Sequence, residues 1–266
     1  MTDRVHWTEH PGRGPVLLLV HGFLSSSAQW LPNLGALGEV CRPVTLDLWG
    51  HGNSPSPSSP AAYSVDAYIA QLDTIRATLG VERLFLCGYS LGAGITIGYT
   101  LANPARMYGH VFTNSSSGLA DAETIAAWQR ISGTAAERIR TGGIKAIEAI
   151  PVHPRHATRL PKDVHDALLR DAARVSPDGV ANTLLYTNPG VSMRARLNEN
   201  TVPALLAFGR HEERFRDKRD YAARVMPMLE IVELDAGHGV NMEDATGFNR
   251  AVTAFIRKCC AKGSDP

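Results

Sequence analysis

Ser90 stands at the centre of Gly88-Tyr89-Ser90-Leu91-Gly92. The apolar run Leu84-Phe85-Leu86-Cys87 precedes it, and a small-residue helical stretch, Ala93 to Ala102, follows. This order predicts a strand, a sharp turn and a helix, with a serine at the apex. Such a turn strains the serine backbone and pushes its hydroxyl out of the top of a sheet. The glycines on either side make room, because a Cβ there would meet the neighbouring strand and helix. The five-residue pattern alone is weak; its flanks supply the context it needs. The chemistry expected is nucleophilic, and a serine hydroxyl is a poor nucleophile until a base takes its proton.

Ten histidines compete for that role. His238 lies in Ala236-Gly237-His238-Gly239, just after the strand expected over Leu229 to Leu234. His21 ends another apolar run, Pro15 to Val20, in a His-Gly-Phe context that suits ordering a loop better than moving protons. His51 belongs to the turn-like Asp47-Leu48-Trp49-Gly50-His51-Gly52-Asn53-Ser54 and reads as structural. His153-Pro154-Arg155-His156 reads as an ordinary loop, since proline and arginine between the histidines do not suit a metal site.

Elements that could position these groups are legible. Strand-like runs occur at about 16–20, 43–47, 83–88, 109–114, 203–208 and 229–234, mostly separated by helical or loop segments. Continuous apolar strands alternating with helices imply a mostly parallel sheet covered on both faces. Ser64 to Gly80 is expected to be a helix, with Tyr68, Ile69, Leu72, Ile75 and Leu79 on one face. The interval from about 118 to 200 is rich in Ala, Arg and Glu, has helical periodicity, is punctuated by five prolines and lacks convincing strands. It reads as a helical cap (118–200) inserted into a core formed by 1–117 and 201–266. Such a cap belongs beyond the C-terminal ends of the strands, where ligands bind in open α/β sheets.

Composition bounds the function classes. A chain of 266 residues suffices for one large α/β domain with an insertion. A net charge of +1 gives no electrostatic reason to expect nucleic acid or an anionic membrane as partner. No run is long and apolar enough for a membrane span, and Met1 to Trp7 has no apolar core of a signal peptide. Four cysteines without metal-ligand spacing suit a reducing, cytoplasmic setting. Cys259-Cys260 is expected on an exposed, charged tail. The expected partner is a small-molecule substrate.

Taken in order, strand-HGF, strand-DxxGHGxS, strand-GYSLG-helix and strand-GH resemble the α/β-hydrolase superfamily over about residues 15–118 and 200–256. The resemblance implies the α/β-hydrolase fold, no cofactor, and a triad in the order serine, acid, histidine. It gives Ser90 as nucleophile and His238 as base. The superfamily places the acid after the strand Pro203 to Phe208, commonly as Gly-x-x-Asp; here Gly209-Arg210-His211-Glu212 puts Glu212 there. Glu213 is the near rival, with Asp217 and Asp235 as outsiders. The oxyanion donors implied are the backbone N–H groups of Leu91, after the nucleophile, and Phe23, after His21-Gly22.

HGFLSSSAQW at 21–30, DLWGHGNSP at 47–55, Ser115 to Leu119, Gly209 to Phe215 and Gly237-His238 with Glu243, Asp244 and Phe248 resemble the MenH-like branch of that superfamily. Synthases of the branch carry an arginine shortly after the elbow. Here that region is Gly92-Ala93-Gly94-Ile95, and no arginine occurs between Ser90 and Arg106. The branch's menaquinone step is therefore not expected. The leading reading is a serine hydrolase of a small ester, thioester or lactone acting through an acyl-enzyme. A C–C bond hydrolase or a lyase/cyclase would use the same serine and histidine as a proton-transfer pair. A non-catalytic receptor on the same fold is the reading from another class.

Overall fold

The computed structural model describes residues 4–262. Its centre is a seven-stranded sheet in the order β1-β3-β2-β4-β5-β6-β7. The strands are β1 Trp7–Glu9, β2 Val16–Val20, β3 Arg42–Leu46, β4 Leu84–Gly88, β5 Met107–Thr113, β6 Ala204–Gly209 and β7 Leu229–Leu234. All adjacent pairs are parallel except β1 with β3.

Residues of β2, β4 and β6 are buried throughout. Their period-two alternation divides them between the two faces of the sheet. Leu17, Leu19, Phe85 and Cys87 face one side, with Trp30, Phe248, Val252 and Phe255. Val16, Leu18, Val20, Leu84 and Leu86 face the other, with Tyr68, Leu72, Ile75, Ile95 and Tyr99. The helices α1 (Leu31–Gly38) and α9 (Ala245–Lys262) cover the first side. The second is covered by α2 (Val65–Thr78) and α3 (Leu91–Ala102). The Ser64 hydroxyl caps α2 by accepting from Ala67 N–H at 3.1 Å. Gly80 closes that helix in the left-handed region, at φ 68°.

Two sequence expectations change. β1 is a short antiparallel edge strand, and three residues, two of them polar and exposed, carry no readable period. Cys259 does not sit on an exposed tail: α9 continues to Lys262 and seats Cys259 in the core beside Cys41 and Cys87. A charged terminal stretch conceals such an amphipathic face, because its apolar residues recur at steps of three and four.

Between β5 and β6 the chain is helical. It forms α4 (Ala122–Glu148, broken at Gly143), α5 (Lys162–Ala172), α6 (Pro177–Asn182) and several single turns, with no strand. The helix α7 (Arg216–Val225) links β6 to β7, and α8 (Val240–Glu243) leads into α9. Among the described residues, no helix is long and apolar enough to cross a membrane.

His110 is fully buried on β5. The Thr96 hydroxyl donates to Ala93 O (3.1 Å), so at 3.0 Å from His110 Nε2 it must accept the Nε2–H. This leaves His110 Nδ1 without a partner among the described residues. Burial pulls His110 down to about 3. Burial, and then the neighbouring His21, pull His51 down to about 4, and burial lowers His21 as well. The unfolded chain therefore takes up these protons first as pH falls below about 6.5. Stability contributed by the neutral rings is present above that pH and is lost as pH falls toward their folded values, by about 1.4 kcal/mol per pH unit and histidine. Urea unfolding at pH 7 and pH 5 should thus differ by about 2 kcal/mol for each of His110 and His51. The His110→Leu variant should remove one such share and flatten the profile; an unchanged slope in that variant would refute the assignment.

Candidate active site

Ser90 follows β4 and opens α3 at φ 51° and ψ −114°, a strained conformation for any residue but glycine. A Cβ at Gly88 would overlap Thr96 and Ala93 of the following helix, and one at Gly92 would lie 2.5 Å from the Val20 and His21 carbonyls. The turn is pinned by Tyr89 N–H donating to Val20 O (2.9 Å) and Ser115 Oγ donating to Ser90 O (2.5 Å). Ser90 N–H reaches Thr113 Oγ1 at 3.4 Å.

Three residues from three distant loops meet here. His238 Nε2 lies 3.0 Å from Ser90 Oγ. His238 Nδ1 lies 2.9 and 3.0 Å from the two carboxylate oxygens of Glu212. A carboxylate that only accepts fixes the proton on Nδ1 and leaves Nε2 free to accept from the serine. A Cβ at Gly209 would overlap the Gly237 carbonyl, so a glycine there lets the Glu212 loop close on the His238 loop. The Tyr89 ring meets His238 edge-on, with centroids 5.3 Å apart.

Burial alone would push the Glu212 carboxyl up, but hydrogen bonds from His238 and Asn114 outweigh it and hold the group below its ordinary value. The Asn114 amide donates to Glu212 Oε2 at 2.5 Å, while its Oδ1 accepts from Gly209 N–H at 3.1 Å, which fixes the amide orientation. The sequence assigned no role to Asn114. It falls at the end of the apolar run expected as strand 109–114, whereas β5 ends at Thr113 and Asn114 turns out of the sheet. The alternative acids sit elsewhere. Asp235 binds His211 (2.6 Å) and Arg210 on the surface. Glu213 starts the exposed turn that follows Glu212, and Asp217 lies exposed in the first turn of α7.

The Phe23 loop is placed by buried histidines and an aspartate. His21 Nε2 accepts from Leu48 N–H (2.9 Å), and its Nδ1–H donates to Gly22 O (2.7 Å). His51 Nε2 accepts from Leu24 N–H at 3.3 Å. Asp47 accepts from Ser27 and Asn53 N–H at 2.7 and 2.9 Å. A Cβ at Gly22 would lie 3.0 Å from Ser90 Cβ and 2.7 Å from the Tyr89 ring, so the loop runs against the elbow. Among the described residues, no hydrogen bond engages the N–H of Phe23 or of Leu91. Both residues line a cavity of about 580 Å³ above Ser90. Its walls are mainly apolar, with Leu24, Trp128, Val152, Leu160, Leu168 and Met242, and much of the roof comes from the insertion between β5 and β6. The arrangement can deliver an activated hydroxyl to a carbonyl carbon and hold the resulting oxyanion on two main-chain donors.

The sequence matches the α/β-hydrolase fold family over residues 15–245. The chain belongs to the α/β-hydrolase fold family. A carboxylesterase of Bacillus subtilis (strain 168), YbfK, is 28% identical over 92% of this chain and 81% of its own length. A 2-succinyl-6-hydroxy-2,4-cyclohexadiene-1-carboxylate synthase of Enterobacter sp. (strain 638) is 25% identical over 91% of this chain and 92% of its own. The solved structure of MenH from S. aureus superposes with a TM-score of 0.83 and 21% identity, covering 97% of this chain and 99% of that one. The MenH-like and esterase resemblance is therefore a property of the whole α/β-hydrolase framework here, not of isolated motifs.

Proposed function

We propose that this protein is a serine hydrolase that cleaves a small ester, thioester or lactone through an acyl-enzyme on Ser90. The observation that carries the reading is the unbroken hydrogen-bonded line Ser90–His238–Glu212 beneath the cavity. His238 takes the serine proton as Oγ attacks the carbonyl carbon. The tetrahedral oxyanion is held by the N–H groups of Phe23 and Leu91, each such donor being worth about 100- to 1,000-fold in rate. His238 then protonates the leaving group, and water, deprotonated by the same ring, releases the acid. Glu212 orients the ring and stabilises the imidazolium. The carboxylesterase relative supports this reaction class.

The synthase relative supports a second reading, in which Ser90 and His238 move protons in a lyase or cyclase reaction. One observation weighs against a synthase that needs an arginine after the elbow. A Cβ at Gly94 would lie 2.6 Å from Val191 O and 3.0 Å from Gly118 Cα, so no long side chain fits there without moving the insertion. Hydrolysis in ¹⁸O-water separates the two readings, because only a hydrolase places the label in an acid product.

Intact-mass labelling with a small fluorophosphonate tests the activated serine. A single adduct, lost in Ser90→Ala, is the expected result; no adduct on the folded protein would overturn the reading. The insertion at 118–200 acts in this scheme as a substrate-selecting cap. Trp128→Ala, which opens the cavity roof, should shift kcat/KM at least about 10-fold toward longer acyl chains, since each methylene in an apolar pocket is worth about 1 kcal/mol or more. Its fluorophosphonate labelling rate should stay within about 3-fold of wild type, since the triad is untouched. An unchanged chain-length preference would remove Trp128 from the specificity wall.

A further inference from the structure

Glu243 lies on α8, five residues past His238, and its side chain is 11% exposed. Its two oxygens grip the backbone on both sides of the histidine. Oε2 accepts from Gly237 N–H at 2.9 Å, and Oε1 accepts from Gly239 N–H at 3.1 Å. The same carboxylate meets Arg159, whose Nε lies 3.2 Å from Oε2. Arg159 belongs to the insertion, in the connection before α5, and its side chain lines the cavity. The next residue, Leu160, closes the contact: its Cδ2 lies 3.3 Å from where a Cβ on Gly239 would stand.

The hydrogen bonds of Glu243 do not touch the His238 ring. They set the backbone that aims it. A carboxylate with both oxygens engaged by backbone N–H groups is a strong and directional holder. The Arg159 guanidinium meets the same carboxylate and holds it to the insertion. Resting on the reading of Ser90 and His238 as nucleophile and base, we propose that Glu243 and Arg159 form one positioning unit. Through it, the inserted helical segment completes the clamp on the His238 loop. The insertion would then do two things, shaping the cavity and steadying the base beneath it.

The groups facing His238 are few and come from separate elements. Glu212 approaches from the loop after β6, Tyr89 from the elbow, Glu243 from α8, and Arg159 from the insertion through Glu243. Lys218 of α7 acts on Glu212, and Arg214 lines the same cavity. A merely structural lesion at Arg159 would not be relieved by restoring a cation there, whereas the positioning unit requires one.

The test compares wild type, Glu243→Gln, Arg159→Met and Arg159→Lys in the full chain. Amide hydrogen exchange over 236–240 is read by mass spectrometry, and kcat and KM are measured for p-nitrophenyl butyrate. Exchange over 236–240 should quicken about 10-fold or more in Arg159→Met and further in Glu243→Gln, with β2, β4 and β6 unchanged. The kcat should fall about 10-fold or more with little change in KM, and Arg159→Lys should recover part of the loss. Exchange over 236–240 that matches wild type in Arg159→Met, or no recovery of kcat in Arg159→Lys, would overturn the positioning unit. Exchange does not depend on turnover, so an inactive wild type would sink the hydrolase reading and leave the clamp itself still measurable.

Discussion

Ser90→Ala should retain a folded protein and lose turnover by about 10⁴- to 10⁶-fold, the scale on which nucleophile knock-outs act when the remaining machinery is intact. The fold should survive because the Ser90 side chain serves as no cap: α3 starts at Leu91 without a side-chain hydrogen bond from Ser90. The strained turn is held instead by Val20 O, Thr113 Oγ1 and Ser115 Oγ, none of which needs the Ser90 hydroxyl. A companion variant separates chemistry from strain. At φ 51° and ψ −114° a non-glycine residue costs about 1–3 kcal/mol. Ser90→Gly should therefore be as inactive as Ser90→Ala yet more stable than wild type by about 1 kcal/mol in urea unfolding. Residual turnover of Ser90→Ala within 10-fold of wild type would falsify the nucleophile assignment.

Glu212→Gln is the second large effect, expected at about 10³- to 10⁴-fold in kcat with the structure intact. The loss follows from donors and acceptors. Glu212 accepts from the Asn114 amide on one oxygen, and both oxygens face His238 Nδ1. A glutamine must turn its NH₂ toward one of these two. Turned toward Asn114, it opposes two donors. With its NH₂ in the Oε1 place, it keeps one oxygen for Asn114 and Nδ1 but sets an N–H donor against Nδ1 and removes the negative charge that orients the ring and stabilises the imidazolium. Glu213→Gln should change kcat less than about 2-fold, because Glu213 is exposed beyond the acid turn. Asn114→Ala should fall between them, about 10- to 100-fold, since it frees the carboxylate without removing its charge. A larger loss in Glu213→Gln than in Glu212→Gln would move the acid one residue along the chain.

Much of this site was written in local patterns. The elbow needed only a run of apolar residues, a serine between glycines and a small-residue helix, all within about twenty positions. Burial of β2, β4 and β6 on both faces followed from their unbroken apolar character. His238 and Glu212 were named by the resemblance to the family's order of strands. The edge strand β1 and the buried face of α9 lay beyond reach, the first too short for a period and the second masked by charges.

The sequence by itself thus determined which backbone turns exist, because strand, glycine and helix signals act over neighbouring residues. The family's order named Ser90, Glu212 and His238 on those turns; only the tertiary structure decided which side chains come within hydrogen-bonding distance. Asn114 against Glu212 spans 98 positions, His238 against Ser90 spans 148, and Arg159 meets Glu243 across an insertion. Such pairs depend on side-chain hydrogen bonds a few ångströms long, set by how loops from separate strands pack over one sheet edge. No local periodicity encodes that geometry, since the energy selecting it arises only once both loops are already folded.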